Sequence, residues 1–202
     1  LAAAAVLVVA GPAVAEDGGS SALGAREDAQ AAIKALDAGD YDGAQTQLEA
    51  ATRAVARLKL QKISSEFAAA TPSFKPEATR FALAEGARTT LEDFIKAQYV
   101  LETTTVAEDG AFVRVRVIDD EAAEKRFMAA AADEASAAAA NLERAVMMGE
   151  PALKRRGPDG SLVVATMSKE KGALIEVEGD DADAVMAFVN ELEAADGSTT
   201  PN

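Results

Sequence analysis

The chain has 202 residues, and its 34 acidic and 20 basic side chains give a formal net charge of -14. A polyanion of this kind repels nucleic acid and anionic membrane surfaces, so we expect no nucleic-acid partner. The sequence contains no His, Cys or Trp, which excludes Ser-His-Asp and Cys-His catalysis, Cys/His zinc sites and disulfides.

The first fifteen residues, LAAAAVLVVAGPAVA, are uncharged and end in Ala13-Val14-Ala15, a small-x-small pattern that signal peptidase accepts. An apolar segment this short, broken by Gly11-Pro12, is not long enough to cross a hydrocarbon layer of about 30 Å. We predict a truncated signal peptide over residues 1–15, and hence a periplasmic or secreted bacterial protein with no integral membrane span. The alternative is an Ala-rich helix packed within the fold.

A Gly/Ser-rich linker over residues 16–24 precedes a predicted helical hairpin over residues 25–67. Gly39 ends the first helix, and Asp40 is placed to cap the second. The carboxylates around this turn also suggest calcium. However, the twelfth position counted from Asp37 is Leu48, where an EF-hand loop needs a bidentate Glu. We therefore favour the helix cap.

The hairpin resembles the turn and second helix of a tetratricopeptide repeat at Gly39-Asp40-Tyr41, Ala44, Leu48 and Ala51. The resemblance covers about half a repeat. It implies the geometry of a hairpin and not the peptide groove, because such a groove usually needs at least three repeats.

Residues 77–195 have the pattern of a small α+β domain. Strands are predicted at residues 97–106, 111–118, 143–156, 161–167 and 173–178. Asp119-Asp120 and Asp180-Asp181 each open a helix after a group of strands. Because both halves have this order, we expect an antiparallel sheet with two helices packed on one face. Residues 196–202 are predicted to be a disordered polar tail.

Charged side chains on the predicted strands are the candidate partner-binding residues. They are Arg114, Arg116, Glu176, Glu178, Lys154, Arg155 and Arg156. The first four alternate with valines, so on neighbouring strands they would form a cross-strand charge ladder on an open sheet face. Such a ladder either binds a partner or only keeps the face soluble. The three consecutive bases either bind a ligand or match the acidic carboxy-terminal region internally.

Together, the export signal, the hairpin, the strand at Val113–Ile118 and the segment Gly149-Glu150-Pro151-Ala152 resemble a group of uncharacterised bacterial periplasmic proteins. In these proteins a tetratricopeptide-like helical hairpin precedes a small α+β domain. The resemblance implies a fold and a compartment, but no activity.

We predict an exported envelope protein that is not an enzyme, needs no cofactor or metal, and binds or scaffolds an envelope protein. Its sheet face or its helical hairpin would carry the binding. The alternative is a periplasmic carrier that holds a lipid or small amphiphile in a pocket between sheet and helices.

Overall fold

Five helices and seven strands follow one another in the computed structural model, which describes residues 22–83 and 99–197. Their bounds in chain order are α1 Ala22–Asp37, α2 Tyr41–Ala70, β1 Phe74–Leu83, β2 Tyr99–Ala107, β3 Phe112–Ile118, α3 Glu121–Ala131, α4 Glu134–Ala139, β4 Glu143–Met147, β5 Glu150–Arg156, β6 Leu162–Ser168, β7 Ala173–Gly179 and α5 Ala182–Ala195. The strands form one antiparallel sheet in the order β1-β2-β3-β7-β6-β5-β4. The predicted α+β class and the antiparallel sheet are confirmed. The predicted signal peptide lies outside the described residues.

The first two helices form the predicted hairpin. Gly39 turns the chain with a φ of 74°, a left-handed conformation that glycine adopts without strain. The side chain of Asp40 accepts a hydrogen bond of 3.0 Å from the backbone N–H of Gly43, which confirms the predicted cap. Helix α1 begins at Ala22, inside the predicted linker, and α2 continues to Ala70, past the predicted end.

One face of the sheet is covered by α2 and α5, and we call it the α2/α5 face. Its apolar layer contains the three valines of β3 together with Ile175 and Val177 of β7. From the helices, Leu60 of α2 and Phe188 of α5 are buried against this layer. Phe188 also meets Phe74 of β1 edge to face, with ring centroids 5.0 Å apart.

The opposite face is covered by α3 and α4, and we call it the α3/α4 face. Phe127 of α3 is fully buried there in one cluster with Ile118, Leu174 and Leu153. The two helices predicted to share one face, α3 and α5, therefore lie on opposite faces, and α5 shares its face with α2. The sequence-based placement of α3 beside α5 is corrected. The reason is that β6 and β7 are buried at almost every position, so both of their faces need a helix cover.

Two local features were not predicted. Strand β1 begins at Phe74, ahead of the predicted domain start at residue 77, and its register shifts between Pro76 and Ala78. The helix after β3 is broken into α3 and α4, because Asp133 caps a new helix by accepting from the N–H of Ser136. At the carboxy terminus the described residues end in a turn at residues 196 and 197.

Candidate functional site

The register of the central strands brings the predicted charged residues together. Strands β3 and β7 are direct neighbours, with Arg114 opposite Glu178 and Arg116 opposite Glu176. The neighbouring strand β2 adds Glu102 opposite Arg116. We call these five residues the Arg116 cluster. The predicted cross-strand pairing is therefore confirmed.

Arg116 holds the cluster together through its guanidinium group. Its Nε donates to Glu102 Oε2 over 2.8 Å, and its Nη1 donates to Glu176 Oε1 over 2.5 Å. Nη1 also lies 2.7 Å from Glu178 Oε2. Arg114 makes a longer contact of 3.4 Å from its Nη1 to the same Glu178 oxygen. Three carboxylates and two guanidinium groups thus form one network.

The inner part of the network is buried, in contrast to the open face expected from the sequence. The side chain of Glu176 is 0% exposed and that of Arg116 is 4% exposed, whereas Arg114 remains 49% exposed. The cluster lies on the α3/α4 face, whose helices cover part of the sheet. A partner can therefore reach Arg114 and the partly exposed Glu102, but not the central pair.

The electrostatics of Arg116 agree with a fixed ion pair. Burial by itself lowers the pKa of Arg116, but the charges of Glu176 and Glu178 and the hydrogen bonds to Glu102 and Glu176 outweigh it. The pKa of Arg116 is therefore raised above its ordinary value. The guanidinium stays charged at every pH at which the protein is folded, so it acts as a permanent cation between strands.

The three consecutive bases of β5 do not stay together. Lys154 and Arg156 point to the α2/α5 side of the sheet, and Arg155 points to the other side, because side chains alternate along a strand. Lys154 Nζ lies 3.3 Å from Glu143 Oε2 on β4, an internal match of the kind considered from the sequence. Arg155 lies opposite Val163 of β6, and Val163 lies opposite Glu178 of β7. Arg155 is therefore at the same level of the sheet as Glu178 and on the same face as the Arg116 cluster.

Glu102 is the member of the network that sequence reasoning missed. It lies in β2 between Leu101 and Thr103, so its side chain faces the same side as those of Arg114 and Arg116. The signal that could have found it is its position. Glu102 is an acid within an apolar and Thr-rich strand, and the next strand, after a tight turn, carries two arginines. Such a residue is placed for a cross-strand ion pair.

A second candidate surface lies on the hairpin. Large apolar side chains are exposed along it at Ile33 and Leu36 of α1 and at Tyr41, Leu48 and Val55 of α2. We call these five residues the hairpin apolar surface. In each helix, one of these exposed residues comes directly after a buried alanine: Ile33 follows Ala32 in α1, and Val55 follows Ala54 in α2. In two antiparallel right-handed helices this equal offset brings both residues to the same side of the hairpin.

The hairpin leaves these side chains exposed because its own interface uses small residues. Helix α1 packs chiefly against α2, through Ala25 and Ala32 on one side and Ala44 and Ala51 on the other. Only the later part of α2, from Leu60 onward, is buried against the sheet. The first half of the hairpin therefore projects from the α+β core.

A groove of about 490 Å³ lies where the hairpin meets the start of α3. Its walls are Thr52 and Ala56 of α2, the segment 119–122, and Lys125. The acids of this segment have internal partners: Asp119 Oδ1 lies 2.8 Å from Lys59 Nζ, and Glu121 Oε1 lies 2.5 Å from Lys125 Nζ. The groove thus has a mixed polar and apolar lining, and its charges are largely matched within the protein.

Comparisons with known proteins identify no relative: no family model, no curated protein and no solved structure matches the chain. In residues 22–83 and 99–197, no helix is both long and apolar enough to cross a membrane. The same residues bring no three acidic side chains together in a way that could hold a metal ion.

Proposed function

We propose that this chain is an exported, non-enzymatic protein of the bacterial cell envelope that binds or scaffolds a protein partner through its helical hairpin. The observation that carries the proposal is the concentration of exposed apolar side chains. Of the ten large hydrophobic residues exposed in the described part of the chain, six lie in the hairpin. Grouped apolar side chains on a surface are typical of an interaction site, whereas single ones are ordinary.

The Arg116 cluster supports a partner less well than the hairpin does. Its central pair is buried, and its charges already satisfy one another. A new partner would have to displace strong internal ion pairs to use them. We therefore assign the binding to the hairpin and a structural role to the centre of the cluster.

The layers between sheet and helices favour a binding module over a carrier of lipid or amphiphile. Phe127 fills the layer beneath α3, and Phe188 fills the layer beneath α5, both with almost no exposure. A carrier needs an apolar cavity at these positions. The groove beside α3 instead has three acids and Lys125 in its walls, next to Thr52 and two alanines.

Site-specific photo-crosslinking tests the binding surface. A photoreactive amino acid replaces Leu48, and a matched control carries it at Met186, which is exposed on α5 at the other end of the chain. Irradiation of the intact envelope is expected to give a defined protein adduct from position 48 and none from position 186. Equal adducts from both positions, or none from position 48, contradict the proposal.

The compartment is tested separately by cell fractionation and by mass spectrometry of the amino terminus. Cleavage after Ala15 predicts a mature chain that begins at Glu16 and is released with the periplasmic or secreted fraction. A chain recovered in the cytoplasm with residues 1–15 still attached contradicts export.

A further inference from the structure

Three exposed side chains of α2 form a regular stripe. Tyr41, Leu48 and Val55 are spaced by seven residues and are 73%, 49% and 58% exposed. Seven residues make almost two helical turns, so the three side chains lie on one side of α2. Leu48 is at the centre, with one apolar residue at the same distance on either side. A second α2 in antiparallel orientation would therefore place Leu48 against Leu48 and Tyr41 against Val55.

The charges of α2 select the same orientation. The N-cap and the first third of the helix carry Asp40, Asp42 and Glu49 and no base. The segment 50–65 carries four bases, Arg53, Arg57, Lys59 and Lys62, and no acid. A parallel copy would put like charges side by side. An antiparallel copy centred on Leu48 lays residues 37–49 of each chain, which carry four acids and no base, along residues 47–59 of the other, which carry three of the four bases, so the charges are complementary along the helix axis.

Building on the proposed function of the hairpin, we propose that its occupant is a second copy of this chain. The two hairpins pack with their α2 helices antiparallel about a two-fold axis at Leu48. Such an interface is isologous, since each copy contributes the same patch and every contact occurs twice. Ile33 of α1 lies on the same side of the hairpin and extends the buried area, so four helices meet at the contact.

The same register places an acid of one copy near a base of the other along the helix axis. With Leu48 at the centre, Asp42 of one copy lies opposite Ala54 of the other and next to its Arg53. Both charged side chains are exposed. Successive residues of a helix are about 100° apart, so both side chains are turned well away from the direction of Leu48, and they attract along the flank of the pair without a direct contact. Salt is therefore expected to weaken the association.

Cysteine crosslinking of the full chain tests the axis directly, because the protein has no cysteine of its own. In a two-fold contact only the residue on the axis meets its own copy. Leu48→Cys is expected to give a disulfide-linked dimer under mild oxidation. Val55→Cys alone is the matched control and stays monomeric, whereas an equimolar mixture of Tyr41→Cys and Val55→Cys chains links into mixed dimers. Failure of Leu48→Cys to crosslink, or equal crosslinking by Val55→Cys alone, overturns the proposal.

Sedimentation velocity of the cysteine-free protein gives an independent reading. The chain is expected to dimerise with concentration, and Leu48→Glu is expected to weaken dimerisation by at least about tenfold. Leu23→Glu changes an equally apolar residue at the start of α1 that is 64% exposed and lies off the stripe, so it leaves the dimer unchanged. A chain that is monomeric at every concentration overturns the proposal.

The outcome is separable from that of the proposed function. If the chain is monomeric but position 48 still photo-crosslinks to a different envelope protein, pairing with a second copy is wrong and the binding role of the hairpin stands. If position 48 gives no adduct with a second copy of this chain and none with another envelope protein, both proposals fail. An adduct whose mass is twice that of this chain supports both.

Discussion

Arg116 donates a hydrogen bond of 2.5 Å to Glu176 across the central strands β3 and β7, and both side chains are buried. This pair lies where the two groups of strands join, since β3 ends the first group and β7 ends the second. Burying two charges is unfavourable unless each is paired. The pair therefore favours the register in which these strands meet over any register shifted by one residue.

The first prediction concerns Arg116→Met. This substitution leaves the carboxylate of Glu176 buried without its cation. We expect the free energy of unfolding to fall by about 3–5 kcal/mol, the usual penalty for breaking one side of a buried ion pair. Urea unfolding followed by circular dichroism measures the change.

Two further variants control this experiment. Arg114→Met removes the half-exposed arginine of the same strand and is expected to change stability by less than about 1 kcal/mol. The double variant Arg116→Met with Glu176→Leu removes both buried charges and is expected to lose less than Arg116→Met alone. Equal losses for Arg114→Met and Arg116→Met would show that burial of the pair does not matter.

Several features could be predicted from the sequence because they depend on neighbouring residues. The alternation of Val113 to Ile118 predicted a strand, and the Asp residues before α2, α3 and α5 predicted caps. Alternation also predicted that the charged residues of β3 share one face of their strand and those of β7 share one face of theirs, but not that the two strands are neighbours. Each of these signals is complete within a few positions of the chain.

Other features depend on contacts between distant segments and could not be predicted locally. Strand β1 has Pro76 and several charged residues, so nothing in its sequence marks a strand, and pairing with β2 is what defines it. The position of α3 depends on which sheet face remains uncovered after α2 and α5 have packed. The burial of Arg116 and Glu176 depends on that same choice of face.

The second prediction separates the two halves of α2. Leu60→Ala removes a fully buried side chain of the α2/α5 face, and we expect a loss of about 2–5 kcal/mol in the free energy of unfolding. Leu48→Ala, on the same helix, removes a half-exposed side chain. In the monomer it is expected to change stability by less than about 1 kcal/mol. Urea unfolding at low protein concentration measures both, and a large loss for Leu48→Ala would place that residue in the core.

The third prediction concerns the pH dependence contributed by Glu124 of α3. Burial and the charge of Asp119 raise the pKa of Glu124 above its ordinary value. A raised pKa in the folded state means that this group favours folding only below the ordinary pKa, and that its contribution is lost as the pH rises through the raised value. Glu124→Gln is therefore expected to raise the melting temperature at pH 7. The difference from the parent protein is expected to disappear at about pH 3, where Glu124 is neutral.

Glu121→Gln is the matched control on the same helix, because its pKa is shifted in the opposite direction. The hydrogen bond from Lys125 lowers the pKa of Glu121, so the charged form favours folding above the ordinary pKa. This variant is expected to lower the melting temperature at pH 7, or to leave it unchanged where solvent screens the exposed pair. Calorimetry at both pH values measures the two variants, and shifts of the same sign for both would refute the assignment.

The fourth prediction concerns Gly179, the last residue of β7, where the chain leaves the sheet for α5. A Cβ at this position would lie 2.9 Å from the backbone oxygen of Phe112 and 2.9 Å from Cγ2 of Val185. Both distances are too short, so Gly179→Ala forces β3 or α5 to move, and we expect a loss of about 1–3 kcal/mol in the free energy of unfolding.

A second substitution tests which contact matters. Adding Val185→Ala removes the clash with the side chain of Val185 but not the clash with the backbone oxygen of Phe112. The double variant is therefore expected to lose less than the sum of the two single variants, as measured by urea unfolding. Strict additivity would mean that α5 does not approach β7 as closely as these distances require.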